Sequence, residues 1–266
     1  SMATPHVAGV AAILKQMSPD MPPDSIKDLL VSTADPLINP ETSQFYNVYQ
    51  QGGGRINLTS AISTPITINP AELNFGIITE DTLLNRTMRL TFQPKTPIIL
   101  DTDISNITLS LNVTVRDLIS GVFLDAVSLN ASMLVIPLNE SRTILLTLNT
   151  TIPKSLYEGK VEAIVTDGPW VGWTIKTIFG FARLNNVTVQ LFDRAGYPAD
   201  YSPVWMAKIE NYTSLLDFAL NSGFSYTDEN GLAKFYIGDG NFRFGGLTIE
   251  ESSQADVWVL TRHEIT

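Results

Sequence analysis

Hydrophobic and polar positions follow two different rhythms along the chain. Up to about residue 62 the pattern is helical. The run Val7-Ala8-Gly9-Val10-Ala11-Ala12-Ile13-Leu14 predicts one helix, and a Pro-rich break follows at Ser18-Pro19-Asp20-Met21-Pro22-Pro23. Ile26, Leu29, Leu30 and Thr33 then recur at helical spacing in a second helix. Pro23 suits the first turn of that helix, where a missing N–H costs little, and Asp35-Pro36 and Asn39-Pro40 end it. Gln51-Gly52-Gly53-Gly54-Arg55 reads as a turn with permissive φ, leading to Ile56-Asn57-Leu58 and a short helix at Ser60-Ala61-Ile62. From about 66 to 183 the period becomes two, as in Met88-Leu90-Phe92, Leu109-Leu111-Val113-Val115 and Ile144-Leu146-Leu148, which predicts half-buried antiparallel strands.

The regular strand spacing over 66–183 suggests a β-sandwich of immunoglobulin or fibronectin type. A second β unit opens at Val187-Val189-Leu191, with a turn at Asp193-Arg194-Ala195-Gly196 and an expected hairpin turn at Thr227-Asp228-Glu229-Asn230-Gly231. The organisation expected is therefore mixed: helical residues 1–62, a sandwich over 66–183 and a further β domain over 187–266. The first helix is apolar or glycine on every side, so it must be buried all round. About 60 residues cannot cover it, and the cover is expected upstream of Ser1 rather than from the later β units. No basic or apolar leader precedes that helix, and the strand-like Val257-Trp258-Val259-Leu260-Thr261-Arg262-His263 has no closing turn. Both features suggest a segment of a longer chain, with the last strand's partners expected beyond Thr266.

Composition narrows the function. The 266 residues are 44% apolar and carry 17 basic against 27 acidic side chains, a net charge of −10. Such a chain repels nucleic-acid backbones and anionic membranes, so nucleic acid is not an expected partner. By segment the charge is −2 over 1–61 (3 basic, 5 acidic), −2 over 62–186 (9 and 11) and −6 over 187–266 (5 and 11). The run from Val7 to Leu14 falls far short of the roughly 20 residues a membrane helix needs, so no membrane-spanning segment is expected. Absent cysteines remove disulfides, thiol catalysis and thiolate zinc sites, and two histidines make a His-rich metal cage implausible; no metal or cofactor is expected.

Ser1-Met2-Ala3-Thr4-Pro5-His6-Val7-Ala8-Gly9 closely resembles the serine-nucleophile motif of the subtilisin-like serine proteases. The resemblance continues through Ala11-Ala12, Ser18-Pro19, Ile26-Lys27, Ser32-Thr33-Ala34-Asp35-Pro36 and Gly54-Arg55-Ile56-Asn57, about residues 1–62, as the C-terminal helical remnant of an α/β catalytic domain. Pro22 departs from it, standing where many relatives carry a capping serine. The resemblance implies that Ser1 is the catalytic nucleophile, acting on protein or peptide substrates. A serine hydroxyl needs a base, a group that orients the base, and oxyanion donors. Ser1 offers the hydroxyl and a backbone N–H at the positive end of the following helix. The family's catalytic aspartate, histidine and oxyanion asparagine precede the serine in sequence, so these 266 residues alone are expected to be inactive and to need the N-terminal part of the catalytic domain as partner. His6 matches a packed, non-catalytic histidine of the motif, and His263 reads as an ordinary edge histidine.

Nine Asn-x-Ser/Thr sequons occur, at Asn57, Asn85, Asn106, Asn112, Asn130, Asn139, Asn149, Asn186 and Asn211. Strand parity turns Asn85, Asn106, Asn112 and Asn149 away from the core, as a glycan or a bare polar surface requires. Together with the resemblance they point to an extracellular or cell-surface protein. Ile68–Gly76 and Leu156–Ala163 are similar to strands of the immunoglobulin-like or fibronectin-like domains that follow many subtilase catalytic domains. Residues 187 to about 249 are similar to carboxypeptidase-regulatory-like, transthyretin-like modules, which implies spacing, shielding or contact with a cell-envelope polymer. Asp101-Thr102-Asp103 begins like a calcium loop, but Asn106 and Asn112 stand where glycine and glutamate are required. Asp228-Glu229-Asn230-Gly231 fits turn chemistry better than metal binding. Trp170-Val171-Gly172-Trp173 reads as packing in a strand rather than a sugar platform. A competing function is a non-enzymatic adhesion module made of residues 66–266.

Overall fold

The computed structural model describes residues 1–94, 104–249 and 255–265; for 249 and 255–265 it describes the backbone alone. Four helices lead the chain: α1 (Ala3–Met17), α2 (Pro23–Ser32), α3 (Val48–Gln51) and α4 (Leu58–Ser63). Pro23 opens α2 as expected, and Pro22 is its N-cap without a side-chain hydrogen bond. The α4 helix is capped by Asn57, whose side chain accepts from the Ser60 N–H. Gly54 has φ +114°, and a Cβ there would lie 2.1 Å from the Asp35 carbonyl oxygen, so only glycine lets the Asp35 and Arg55 backbones exchange hydrogen bonds.

Ten strands follow: β1 (Ile66–Asn69), β2 (Glu72–Ile78), β3 (Leu83–Phe92), β4 (Asn106–Asp117), β5 (Phe123–Leu124), β6 (Val127–Leu129), β7 (Met133–Pro137), β8 (Ser141–Asn149), β9 (Ser155–Val165) and β10 (Thr174–Arg183). They form a four-stranded sheet ordered β1-β3-β8-β6 and a six-stranded sheet ordered β2-β10-β9-β4-β5, with β7 also on β4. The two sheets share one apolar core. Ile66, Met88, Leu90, Phe92, Ile144 and Leu146 come from one, and Phe75, Leu109, Tyr157, Val161, Phe179 and Phe181 from the other. The alternation seen in the sequence is the alternation of burial, and Asn85, Asn106, Asn112 and Asn149 all lie exposed, as parity predicts.

Three local expectations need correction. The run Ile68–Gly76 is not one strand: the chain changes sheets at Pro70, and β2 pairs in parallel with β10. Trp170 and Trp173 do not alternate along a strand. Trp170 ends a 3₁₀ turn, buried edge-on against Phe92, and Trp173 packs partly buried on the same core. Asn57 does not present a free sequon, because its amide donates to the Asp35 carboxylate while its oxygen caps α4.

The remaining elements are β11 (Asn185–Gln190), β12 (Pro203–Lys208), α5 (Leu215–Asn221), β13 (Ser222–Tyr226), β14 (Leu232–Ile237), β15 (Gly240–Ile249) and β16 (Ala255–Ile265). β11 pairs with β14, and a second sheet runs β13-β12-β15-β16; a separate core of Leu191, Val204, Phe235, Ile237, Phe242 and Phe244 joins them. The strand containing His263 has a partner within this chain, β15, and forms the edge of that sheet. Residues 227–231 are not a hairpin turn, since β13 and β14 lie in different sheets. Asp228 Oδ1 accepts from the Asn230 and Leu232 N–H groups, and the tight turn carries the chain from one sheet to the other. The α5 helix, missed in sequence, holds Asp217 below the ordinary carboxylate range. Burial alone would raise it, but donation from the Thr213 N–H, Asn221 and the Thr213 hydroxyl, with Lys208 nearby, prevails.

Candidate functional site

Ser1 lies just ahead of α1, exposed, and Met2 rather than Ser1 occupies the N-cap position. No described group hydrogen-bonds the Ser1 side chain. His6 is also exposed, and its Nδ1 lies 2.8 Å from the Met2 carbonyl oxygen, tying the ring to the first turn of its own helix. Among the described residues the structure thus brings no base to Ser1. His263 lies in β16, outside the residues whose side chains are described, and so do Asp101 and Asp103 of the calcium-like run. Among the described residues no group of three or more His, Asp or Glu side chains is placed to hold a metal.

The helix behind Ser1 is largely uncovered. Of α1, Leu14 is buried with Leu29, Leu30 and Ala61, and Val10 packs on the edge of that cluster. Val7 at 43%, Ile13 at 41% and Met17 at 48% exposure face outward. The later strands do not fold over the helix, so of the two covers considered from sequence the internal one is not realised among the described residues. An apolar groove of about 430 Å³ runs between α1 and α2, lined by Val7, Ala11, Met21, Ile26, Leu30 and Ile56.

In contrast, the rest of the helical segment is locked onto the sandwich by polar contacts that sequence reasoning missed. Asp28, on the buried side of α2, accepts from the Ala71 N–H at 2.8 Å and from the Asn69 side-chain amide. From α3, Val48 N–H donates to Glu158, which also pairs with Arg116. The Tyr49 hydroxyl donates to the Tyr157 carbonyl at 3.0 Å, and burial with Glu158 nearby pushes its pKa up to about 12. Gly180 leaves room for this contact, since a Cβ there would sit 2.6 Å from the Tyr49 oxygen. Lys176 Nζ donates to the Ala34 carbonyl at 2.7 Å, and burial, reinforced by Lys160, holds that amine below its ordinary value. The signal for Asp28 was available in principle: a carboxylate beside Leu29 and Leu30 needs buried donors. For Tyr49 no local pattern distinguished it.

A sequence model of the Subtilase family matches residues 1–55. Over 64 residues the chain is 47% identical to Subtilisin-like protease SBT4.3 of Arabidopsis thaliana, covering 23% of this chain and 8% of that protein. Over 76 residues it is 32% identical to Minor extracellular protease Vpr of Bacillus subtilis (strain 168), covering 29% of this chain and 9% of that protein. The chain therefore spans under a tenth of the length of these two curated relatives. Among solved structures, the PapD-like domain of human CEP192 aligns with 47% of this chain and 88% of its own at 12% identity and a TM-score of 0.34, too slight to carry an argument.

Proposed function

We propose that residues 1–62 complete the catalytic domain of a subtilisin-like serine endopeptidase and that Ser1 is its nucleophile. The match of residues 1–55 to the Subtilase family model, and their similarity to a subtilisin-like protease, support the reading. The observation that carries the further step is the uncovered apolar face of α1 beneath an exposed, unpartnered serine: such a helix is finished only when a larger body packs over it. Residues outside these 266 would supply that body together with the base, the carboxylate that orients it and an oxyanion asparagine. The Ser1 hydroxyl then attacks a peptide carbonyl as its proton passes to the base. The Ser1 N–H, at the positive end of α1, faces the oxyanion. The intermediate collapses with cleavage of the peptide C–N bond as the base hands its proton to the departing amine. Water, deprotonated by the same base, then hydrolyses the acyl ester and restores the Ser1 hydroxyl. Residues 66–183 and 187–266 act as accessory units at an extracellular or cell-surface location. Eight exposed sequons fit that setting, Asn57 being engaged in its cap.

A fluorophosphonate probe tests the reading. Ser1 is expected to label in a chain extended upstream through the rest of the catalytic domain, to lose labelling in Ser1→Ala, and to stay unlabelled in the 266 residues alone. Labelling of the extended chain that survives Ser1→Ala would overturn the assignment.

A further inference from the structure

The outer face of the β13-β12-β15-β16 sheet carries aromatic rings where its inner face carries the core. Val204 and Met206 of β12 point inward at 0% and 5% exposure, so Trp205 between them points outward. Phe224 of β13 stands opposite Trp205 in register, and Tyr226 stands opposite Pro203, two residues along the same face. Trp205, Phe224 and Tyr226 are 36%, 58% and 60% exposed, an uncommon outlay of aromatic surface on one small sheet.

The rings are held in place. On the other side of Trp205 the register partner is Gly245. A Cβ at Gly245 would lie 2.4 to 2.6 Å from indole Cε2, Cζ2 and Nε1, so the indole lies across the β15 backbone in space that any other residue would fill. Phe224 and Tyr226 meet edge to face with centroids 4.9 Å apart. Gly245 flanks Trp205 on one side and Phe224 on the other, so the indole lies over β15 and the Phe224–Tyr226 pair over β13, two aromatic surfaces spread along one face.

We propose that Trp205, Phe224 and Tyr226 form a stacking platform for a neutral polysaccharide. A pyranose ring offers an apolar C–H face to the negative face of an aromatic ring and an equator of hydroxyls to polar groups around it. The Tyr226 hydroxyl, the Trp205 Nε1–H and the exposed Arg243, which lies in register with Ala207 one step from Trp205, supply that border. The neighbouring outward positions are Ala207 and Ser222, with the half-buried Leu247 of β15 at the Pro203 end of the face. Three rings fall well short of the 20 to 30 residues a side of a typical protein interface. The charge of −6 over 187–266 (5 basic, 11 acidic) opposes an anionic membrane or an acidic polymer. The platform is independent of Ser1 and stands whether or not the chain belongs to a working protease.

Electrophoresis of the 266-residue chain through native gels containing hydroxyethyl cellulose, laminarin or glycol chitin tests the proposal. Retardation by at least one polymer is expected. Trp205→Ala should weaken it at least tenfold and Phe224→Ala several-fold, whereas Trp205→Tyr keeps a ring and most of the binding. Phe123→Ala, an exposed aromatic on the sandwich, should change nothing. Lack of retardation by all three polymers, or retardation that survives both alanine variants, overturns it. A concentration-dependent dimer that is lost in Phe224→Ala, without retardation by any polymer, would assign the rings to self-association instead.

Discussion

Helices α1 and α2 are neighbours in sequence, and α1 is the more apolar, yet α2 is the one that is finished. Leu29 and Leu30 of α2 are 2% and 8% exposed, covered by α1 and α4, while Asp28 on the same helix bonds to the start of the sandwich. Apart from Leu14, α1 buries none of its residues, and its polar tie to the rest of the fold is Lys15 Nζ to the Met21 carbonyl. The contrast teaches that the sandwich serves as a foundation for α2 and α3 and leaves α1 for another body to cover.

Truncating one side chain on each helix should widen that contrast most. Leu29→Ala is expected to cost about 3 kcal/mol in urea unfolding, and Ile13→Ala less than about 0.5 kcal/mol in the 266-residue chain. In a chain extended upstream, Ile13→Ala should rise to at least about 2 kcal/mol if α1 is covered there. Equal costs for the two variants in the short chain would erase the distinction between the helices.

Next in size is the clasp under α2. Asp28→Ala leaves the buried Ala71 N–H and the Asn69 amide without their acceptor. A loss of about 2 kcal/mol is expected, with earlier proteolysis of residues 1–62 than of the sandwich. An unchanged denaturation midpoint would mean that the helical segment is not anchored there.

Tyr49→Phe should cost about 1 kcal/mol by removing the bond to the Tyr157 carbonyl. It also has a pH signature. The folded chain holds the Tyr49 proton to about 12 against an ordinary 10.0, so the unfolded chain ionises first. This contribution is complete below pH 10, the unfolded value, and disappears as the pH climbs through the folded value near 12. Part of the alkaline loss of stability in that window should vanish in Tyr49→Phe; an identical alkaline profile for both proteins would contradict the contact. Smallest of all is Lys27→Met. The Lys27–Glu72 pair spans 3.1 Å but is exposed at both ends, so the change should stay within about 0.5 kcal/mol and shrink further in salt.

Much of the sandwich was legible because period-two burial is a local property: Met88, Leu90 and Phe92 face the core wherever their strand lies in the sheet. The change of sheet at Pro70, the parallel β2–β10 pair and the sheet-to-sheet path through Asp228 were not legible, because pairing is decided by distant segments. The short α3 and α5 helices also escaped. At the candidate site, Ser1 was visible through a long motif, and the lack of a base beside it was expected because the resemblance puts the family's catalytic aspartate and histidine earlier in sequence. The clasp of Asp28, Tyr49, Glu158 and Lys176 joins residues more than 40 positions apart and left no pattern in any single stretch. Exposed Trp205 and Phe224 likewise became a platform only when register set them side by side.

Amide hydrogen exchange over Ala3–Met17 addresses the unfinished helix most directly. In the 266-residue chain, α1 amides are expected to exchange within minutes while those of α2 and the sandwich stay protected; in a chain extended upstream, α1 should become as protected as α2. Strong protection of α1 in the short chain, or equally fast exchange in both chains, would contradict the account.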